Sequence, residues 1–219
     1  VDARRSLEDP VFDAQVNILD TVRLLAAAVT AGVERIVFAS SAAVYGDPEE
    51  IPTPEDAPLA PLSPYGVGKL AGEGYLSFFA RRHGLAGVAL RFANVYGPRQ
   101  ESVGEAGVVA VFCQRLLAGE AVTIHGDGRQ TRDFVYVEDL AKAHVAVLPL
   151  TGLNYFNVGT GTGVSINEIL DAIRGILGRP LRIDDLGERP GDVPAYYASP
   201  ARLTAATGWR AEVGLVEGL

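Results

Sequence analysis

The sequence predicts an α/β protein built on a doubly wound, Rossmann-type parallel sheet. Two observations carry this. Over the first 95 residues helical and strand patterns alternate, the order of a sheet whose parallel strands are joined by crossover helices. The strand segments, RIVFAS (Arg35–Ser40) and GVALRFA (Gly87–Ala93), are short runs without apolar–polar alternation. That pattern is expected of strands buried on both faces.

Each element has a local signal. Asp9-Pro10 places an N-cap before a proline at the first helical position. Val16, Leu19, Val22 and Leu25 follow at helical spacing, so one helix is expected over Val11–Ala31, stopped by Gly32. A proline-rich loop fills Gly46–Pro61. Ser63-Pro64 repeats the cap-and-proline start, and a helix is expected to about Arg82. Beyond Gly97 the pattern loosens, and Gly97–Gly107 is the best candidate for a boundary. Helices are expected over Val108–Leu117, Val137–Val147, Ser165–Leu177 and Pro200–Thr207. Strands are expected near Val122–Ile124, Asp133–Val135, Tyr155–Val158 and in RPLRI (Arg179–Ile183), and a loop over GERPGDVPAYY (Gly187–Tyr197).

Composition narrows the function. The 219 residues are 48% hydrophobic and 21% charged, which suits a globular chain with a substantial core. The net charge of −8 argues against a nucleic-acid partner. An anionic ligand would need arginines gathered locally. Cys113 stands alone, which excludes an internal disulfide and points to the cytoplasm. No apolar run of membrane-spanning length and no signal peptide is seen, so no membrane partner is expected. His83, His125 and His144 lack ligand spacing, and no metal site is expected.

Two stretches invite chemistry. NVGTGTGVSINEIL (Asn157–Leu170) offers a glycine-rich turn, but it has neither the Gly-Lys-Ser/Thr ending of a phosphate loop nor GxGxxG. Ser165 and Glu168 form a capping box, which makes a structural turn the better reading. Tyr65 and Lys69 are four residues apart at the start of a helix and share one face. Ser40 and Ser41 fall just past a strand, at the end of the sheet where ligands bind. A hydroxyl, a phenol and an ammonium at that edge form a proton-transfer set. To act as a base near neutrality a tyrosine must fall about 3 pKa units, roughly 4 kcal/mol, and a nearby ammonium supplies charge of the right sign.

VNILDTVRLL, IVFASSAAVYGD, SPYGVGKLAGE, LRFANVYGPRQ, GDGRQTRDFVYVEDLAKAH, FNVGTGTGVSI, RPGD and GW stand in this order along the chain. In these motifs the sequence resembles the extended short-chain dehydrogenase/reductases, and within them the nucleotide-sugar epimerases acting on UDP-hexoses. The resemblance implies NAD as cofactor and 4-epimerisation of UDP-glucose and UDP-galactose through a 4-keto sugar. It implies Ser41, Tyr65 and Lys69 as the catalytic set, with Tyr65 the general base. Asn17, Ser40, Tyr65, Lys69 and Phe92 would face the cofactor. Ser41, Asn94, Val109, Thr123, Ile124, His125, Arg132, Arg189, Asp192 and Tyr196 would bind the UDP-sugar. In that set Arg132 and Arg189 would take the diphosphate, Asp192 would orient an arginine or a ribose hydroxyl, and His125 would stack on uracil. Tyr196 would line the sugar pocket beside C2. Ala42-Ala43 stand where dehydratases of the superfamily carry Asp-Glu, which favours epimerisation over loss of water.

The resemblance also implies a homodimer paired through the helices at Pro10–Ala31 and Pro64–Arg82. Residues 1–97 would be the C-terminal part of the NAD-binding domain. Residues 98–219 would be mainly a smaller α+β substrate domain, with about 131–160 returning to the sheet. The chain would begin after the family's fourth strand, with the GxxGxxG turn ahead of it and the sheet incomplete at the N-terminus. Other nucleotide-sugar epimerases, a 4-keto reductase, and a non-catalytic nucleotide-sugar or dinucleotide-binding module remain open at this point.

Overall fold

The computed structural model describes residues 3–101, 107–187 and 193–219. After α1 (Ala3–Glu8), Asp9 caps α2 (Pro10–Ala14), its carboxylate accepting the Phe12 N–H at 2.9 Å. The single helix expected to Ala31 is interrupted. Gln15–Asp20 is π-helical, and regular geometry resumes in α3 (Thr21–Thr30). Such widened turns concentrate at functional sites, and this one carries Asn17. Strand β1 (Arg35–Ser41) runs into a 3₁₀ turn, Ala42–Val44. The proline-rich loop leads to α4 (Pro64–His83), where Ser63 Oγ accepts the Gly66 N–H at 3.1 Å and Gly84 closes the helix at φ 72°.

Next come β2 (Ala86–Phe92), β3 (Asn94–Tyr96), α5 (Val108–Leu117), β4 (Val122–Ile124), β5 (Thr131–Arg132) and β6 (Phe134–Tyr136). They are followed by α6 (Val137–Ala146), β7 (Leu153–Val158), β8 (Val164–Ser165) and α7 (Ile166–Leu177). The capping box of Ser165 and Glu168 opens α7. The chain then forms β9 (Ile183–Asp185), β10 (Ala195–Tyr196), α8 (Ala201–Thr207) and α9 (Leu215–Gly218). Two expectations shift here. The strand sought in Arg179–Ile183 lies at β9, pairing parallel with β4. The loop expected over Gly187–Tyr197 contains β10, which pairs with β5.

The main sheet has the order β1-β2-β7, all parallel, and helices cover both faces. Strand parity divides its core. Val88 and Leu90 join Phe156, Val158, Leu140, Val147, Leu203 and Trp209 on the α6 side. Ala89 joins Leu25, Leu76 and Phe79 on the α3–α4 side. A third cluster packs α5, β4 and α7 through Phe112, Leu116, Val122, Ile169 and Ile173. Strand β2 is buried as expected. Strand β1 is not buried on both faces: it is the outer strand among the described residues, and most of it is half-buried.

Helix α4 lies close on β1 because glycine permits it. A Cβ at Gly72 would sit 2.4 Å from Phe38 Cζ. The packing is fixed by a buried ion pair. Arg91 of β2 donates through Nε and Nη2 to Glu73 of α4 at 2.9 and 2.8 Å. Their side chains are 4% and 3% exposed. Glu73→Leu would leave the guanidinium buried and unpaired, a loss worth about 3–5 kcal/mol. Urea unfolding should show a fall of that size, and an unchanged midpoint would show that the pair does not hold the helix to the sheet.

Candidate active site

A cleft of about 710 Å³ opens where β1 and β2 end, the side of a parallel sheet on which ligands bind. Ser41, the last residue of β1, forms part of its wall with Ala42 and Ala43. Ser41 Oγ accepts the Ala43 N–H at 3.1 Å, which leaves its O–H to donate. Tyr65, in the first turn of α4, faces the same space. Their meeting depends on Gly66, where a Cβ would lie 2.6 Å from the Ala43 carbonyl oxygen. The helix N-terminus therefore seats on the 3₁₀ turn that follows Ser41.

Lys69 lies one turn further along α4, and the shared face expected from the spacing is found. Its Nζ is 5.6 Å from the Tyr65 ring centroid and 5.5 Å from that of Phe38. Nζ donates to the Ala39 carbonyl at 3.0 Å. Burial lowers the Lys69 pKa from its ordinary value, and the Asp13 carboxylate acts against that shift. Lys69 does not itself wall the cleft, nor does Asn17, whose amide donates to Asp13 Oδ1 at 2.7 Å.

The two serines of the pair have different surroundings. Ser40 is 1% exposed, and its hydroxyl donates to Glu73 Oε1 at 2.5 Å. Successive strand residues point to opposite faces, so Ser41 looks into the cleft while the Ser40 hydroxyl is committed to the buried ion pair.

The opposite wall comes from the second half of the chain. Val109 on α5, Thr123, Ile124 and His125 at β4, Arg132 on β5 and Tyr196 on β10 all line the cleft, as do Phe92 and Asn94. The structure thus brings together ten of the residues singled out in the sequence. Arg189 and Asp192 lie outside the described residues. Tyr196 is 7% exposed and stacks on Tyr45 at 6.5 Å between centroids. Burial raises its phenol pKa far above the ordinary value, and its hydroxyl has no hydrogen-bond partner among the described residues.

The glycine-rich turn after β7 proves structural, though it does bind an anion. Thr160 N–H and Gly161 N–H donate to the buried Asp133 carboxylate at 2.8 and 3.1 Å, and Thr160 Oγ1 donates to it at 2.7 Å. Burial pushes the Asp133 carboxyl up while these bonds pull it down. Asp133 thereby anchors the segment that presents Arg132. The sequence signal available for it was its place beside that arginine.

Residues 2–159 match the sequence pattern of the NAD dependent epimerase/dehydratase family. The UDP-glucose 4-epimerase of Mycolicibacterium smegmatis is 45% identical over 221 residues, covering 100% of this chain and 71% of the relative. Among the solved structures that superpose over 100% of the chain are two UDP-glucose 4-epimerases. The UDP-glucose 4-epimerase of Thermotoga maritima with UDP-glucose gives a TM-score of 0.96 at 39% identity, covering 71% of that chain. The UDP-glucose 4-epimerase of Thermus thermophilus with NAD gives 0.92 at 43% identity, covering 72%.

Proposed function

The chain belongs to the NAD dependent epimerase/dehydratase family, and from that premise we propose that it is an NAD-dependent UDP-hexose 4-epimerase, interconverting UDP-glucose and UDP-galactose. One observation carries the reading: a single cleft has Ser41 and Tyr65 on its sheet side, with Thr123, His125 and Arg132 facing them. When bound, NAD supplies reversible hydride acceptance at the sugar C4, so both configurations are reached through a 4-keto sugar. The chain's donors suit it. An ammonium carries three N–H groups, so Lys69 keeps donors for a cofactor ribose beyond its bond to Ala39.

The remaining steps fall to side chains. Tyr65, as phenolate, takes the proton of the sugar 4-hydroxyl and returns it. Lys69 favours the phenolate by its charge. Ser41 donates to the 4-oxygen, the role its engaged lone pair leaves open. Arg132 supplies positive charge to the diphosphate on a chain of net charge −8. His125 offers a ring to the uracil. Ala42 and Ala43 bring no carboxyl group to the sugar, so nothing at that wall drives loss of water.

The same reading places the cofactor on the first 97 residues and the nucleotide-sugar on most of the rest, with β7 completing the sheet. It makes the protein a cytoplasmic homodimer. Leu19 in the π-helical turn, Leu24 on α3, and Val67, Tyr75 and Phe78 on α4 are large apolar side chains 41–65% exposed. Neighbouring helices that carry a second apolar face suit pairing with a copy.

Three outcomes are expected of the natural gene product. Tyr65→Phe keeps the ring and removes the proton acceptor, so turnover should fall ~10²–10⁴-fold with nucleotide-sugar affinity little changed. More than about a tenth of the parent turnover would refute the assignment. Light scattering at micromolar protein should give a dimer, and a monomer would refute the helix-face reading. Tyr196 presents a rigid wall, because Tyr45 behind it is held by Arg91 and Asn157. An N-acetyl group at C2 must overpack against it, costing ~1–3 kcal/mol, so the N-acetylhexosamine pair should be disfavoured about tenfold or more. Tyr196→Ser should raise kcat/KM for UDP-N-acetylglucosamine. Equal kcat/KM for both substrate pairs in the unmutated protein would remove the gate.

A further inference from the structure

Asp13 is a carboxylate with no place in the site described above, and it is 1% exposed. On α2 it accepts the Asn17 amide at 2.7 Å, and Oδ2 would be 3.2 Å from a Cβ placed on Gly68. Asn17 presses on the same glycine, its Cβ 2.9 Å from that position. The two side chains therefore seat on the α4 backbone immediately before Lys69. One amide hydrogen bond does not offset burial of a charged carboxylate. A residue serving the packing alone would be satisfied by a neutral amide.

We propose that Asp13 is a positioning residue for the Tyr65–Lys69 pair: with Asn17 it fixes the turn that carries Lys69, and its carboxylate supplies negative charge that favours the ammonium there. The surroundings of Lys69 leave this role open. Strand β1 presents the Ala39 carbonyl and the Phe38 ring. Helix α4 presents Tyr65 and, one turn on, Glu73, which is taken by Arg91. The π-helical turn presents the neutral Asn17. Among the described residues, the carboxylate whose charge acts on Lys69 comes from α2. The proposal rests on the epimerase reading for its purpose, because a charged Lys69 is what favours the Tyr65 phenolate.

The chain contains two lysines, Lys69 and Lys142, so a ¹³Cε-lysine NMR titration reads each of them with the other as control. In the unmutated protein Lys69 should titrate below the ordinary value of ~10.4. Lys142 should titrate above it, since Glu212 and Asp139 hold its proton. Asp13→Asn keeps an acceptor for Asn17 and removes the charge. Lys69 should then move further down while Lys142 stays, and the alkaline limb of kcat should move with Lys69 to lower pH. Asp13→Glu should restore both. A folded Asp13→Asn protein with Lys69 unmoved overturns the proposal. Should that variant unfold, Asp13→Ser reads the same shift. If neither neutral variant folds while Asp13→Glu does, the carboxylate serves the fold alone and the proposal falls. Absence of epimerase activity in the unmutated protein would instead sink the functional reading and leave the NMR result standing.

Discussion

The guanidinium of Arg91 is the point to which the rest of the structure is tied. It sits one residue before the C-terminal end of β2, and each of its nitrogens is used. Nε and Nη2 meet the two oxygens of Glu73, while Nη1 donates to the Tyr45 hydroxyl at 2.8 Å and to the Glu55 carbonyl at 3.0 Å. The Tyr45 hydroxyl donates onward to Asn157 on β7 at 2.7 Å, and the Asn157 N–H donates to Glu55 Oε1 at 3.0 Å. One buried charge thus joins helix α4, the loop after β1 and two strands. Removing any partner strands a charge or a polar group in low dielectric, so the set is held together or lost together.

That constraint reaches the cleft by two routes. Glu73 lies two turns from Tyr65 on α4, so pinning Glu73 sets the rotation of the helix and hence the direction of the phenol. Ser40 is drawn into the same network through Glu73, and strand parity then leaves Ser41 facing outward. Tyr45 carries the second route: it is 1% exposed and backs the ring of Tyr196. Both the proton-transfer side and the sugar-gate side of the proposed site are therefore referenced to one ion pair. Aligning groups contributed by opposite ends of a chain needs such a shared reference, since small misplacements cost catalysis heavily.

Much of this was legible in the sequence where the signal is local. Asp9, Ser63 and Ser165 marked helix starts, and each accepts the backbone N–H expected of a cap. The spacing of Tyr65 and Lys69 set their common face. Less legible were the two-residue strands β5, β8 and β10, which are too short to show a period and exist through pairing with one another. The π-helical turn was hidden because its apolar spacing mimics an ordinary helix over one or two turns. The division of labour between Ser40 and Ser41 was available in principle from alternation along β1, whereas the pairing of Glu73 with Arg91 spans two elements and has no local mark. The half-buried state of β1 follows from its place at the edge of the described sheet, which composition does not encode.

Helix α4 shows how much the fold concedes to the site. Its first half carries Gly66, Gly68 and Gly72, which together cost about 2–3 kcal/mol of helix propensity relative to alanine. Each is buried where a Cβ would collide with Ala43, Asn17 or Phe38. A helix with better propensity would stand away from β1, and Tyr65 would no longer meet Ser41. The deficit is offset further along. Leu76 and Phe79 are 0% and 9% exposed, and burying two such side chains contributes about 1.5–3 kcal/mol each. Ser63 adds a cap worth about 1 kcal/mol. The helix is therefore divided along its length, with an N-terminal half shaped for close approach and a C-terminal half that supplies the burial to hold it there. A phenol and an ammonium can occupy the inner face of its first turns because the apolar anchoring lies elsewhere on the same helix.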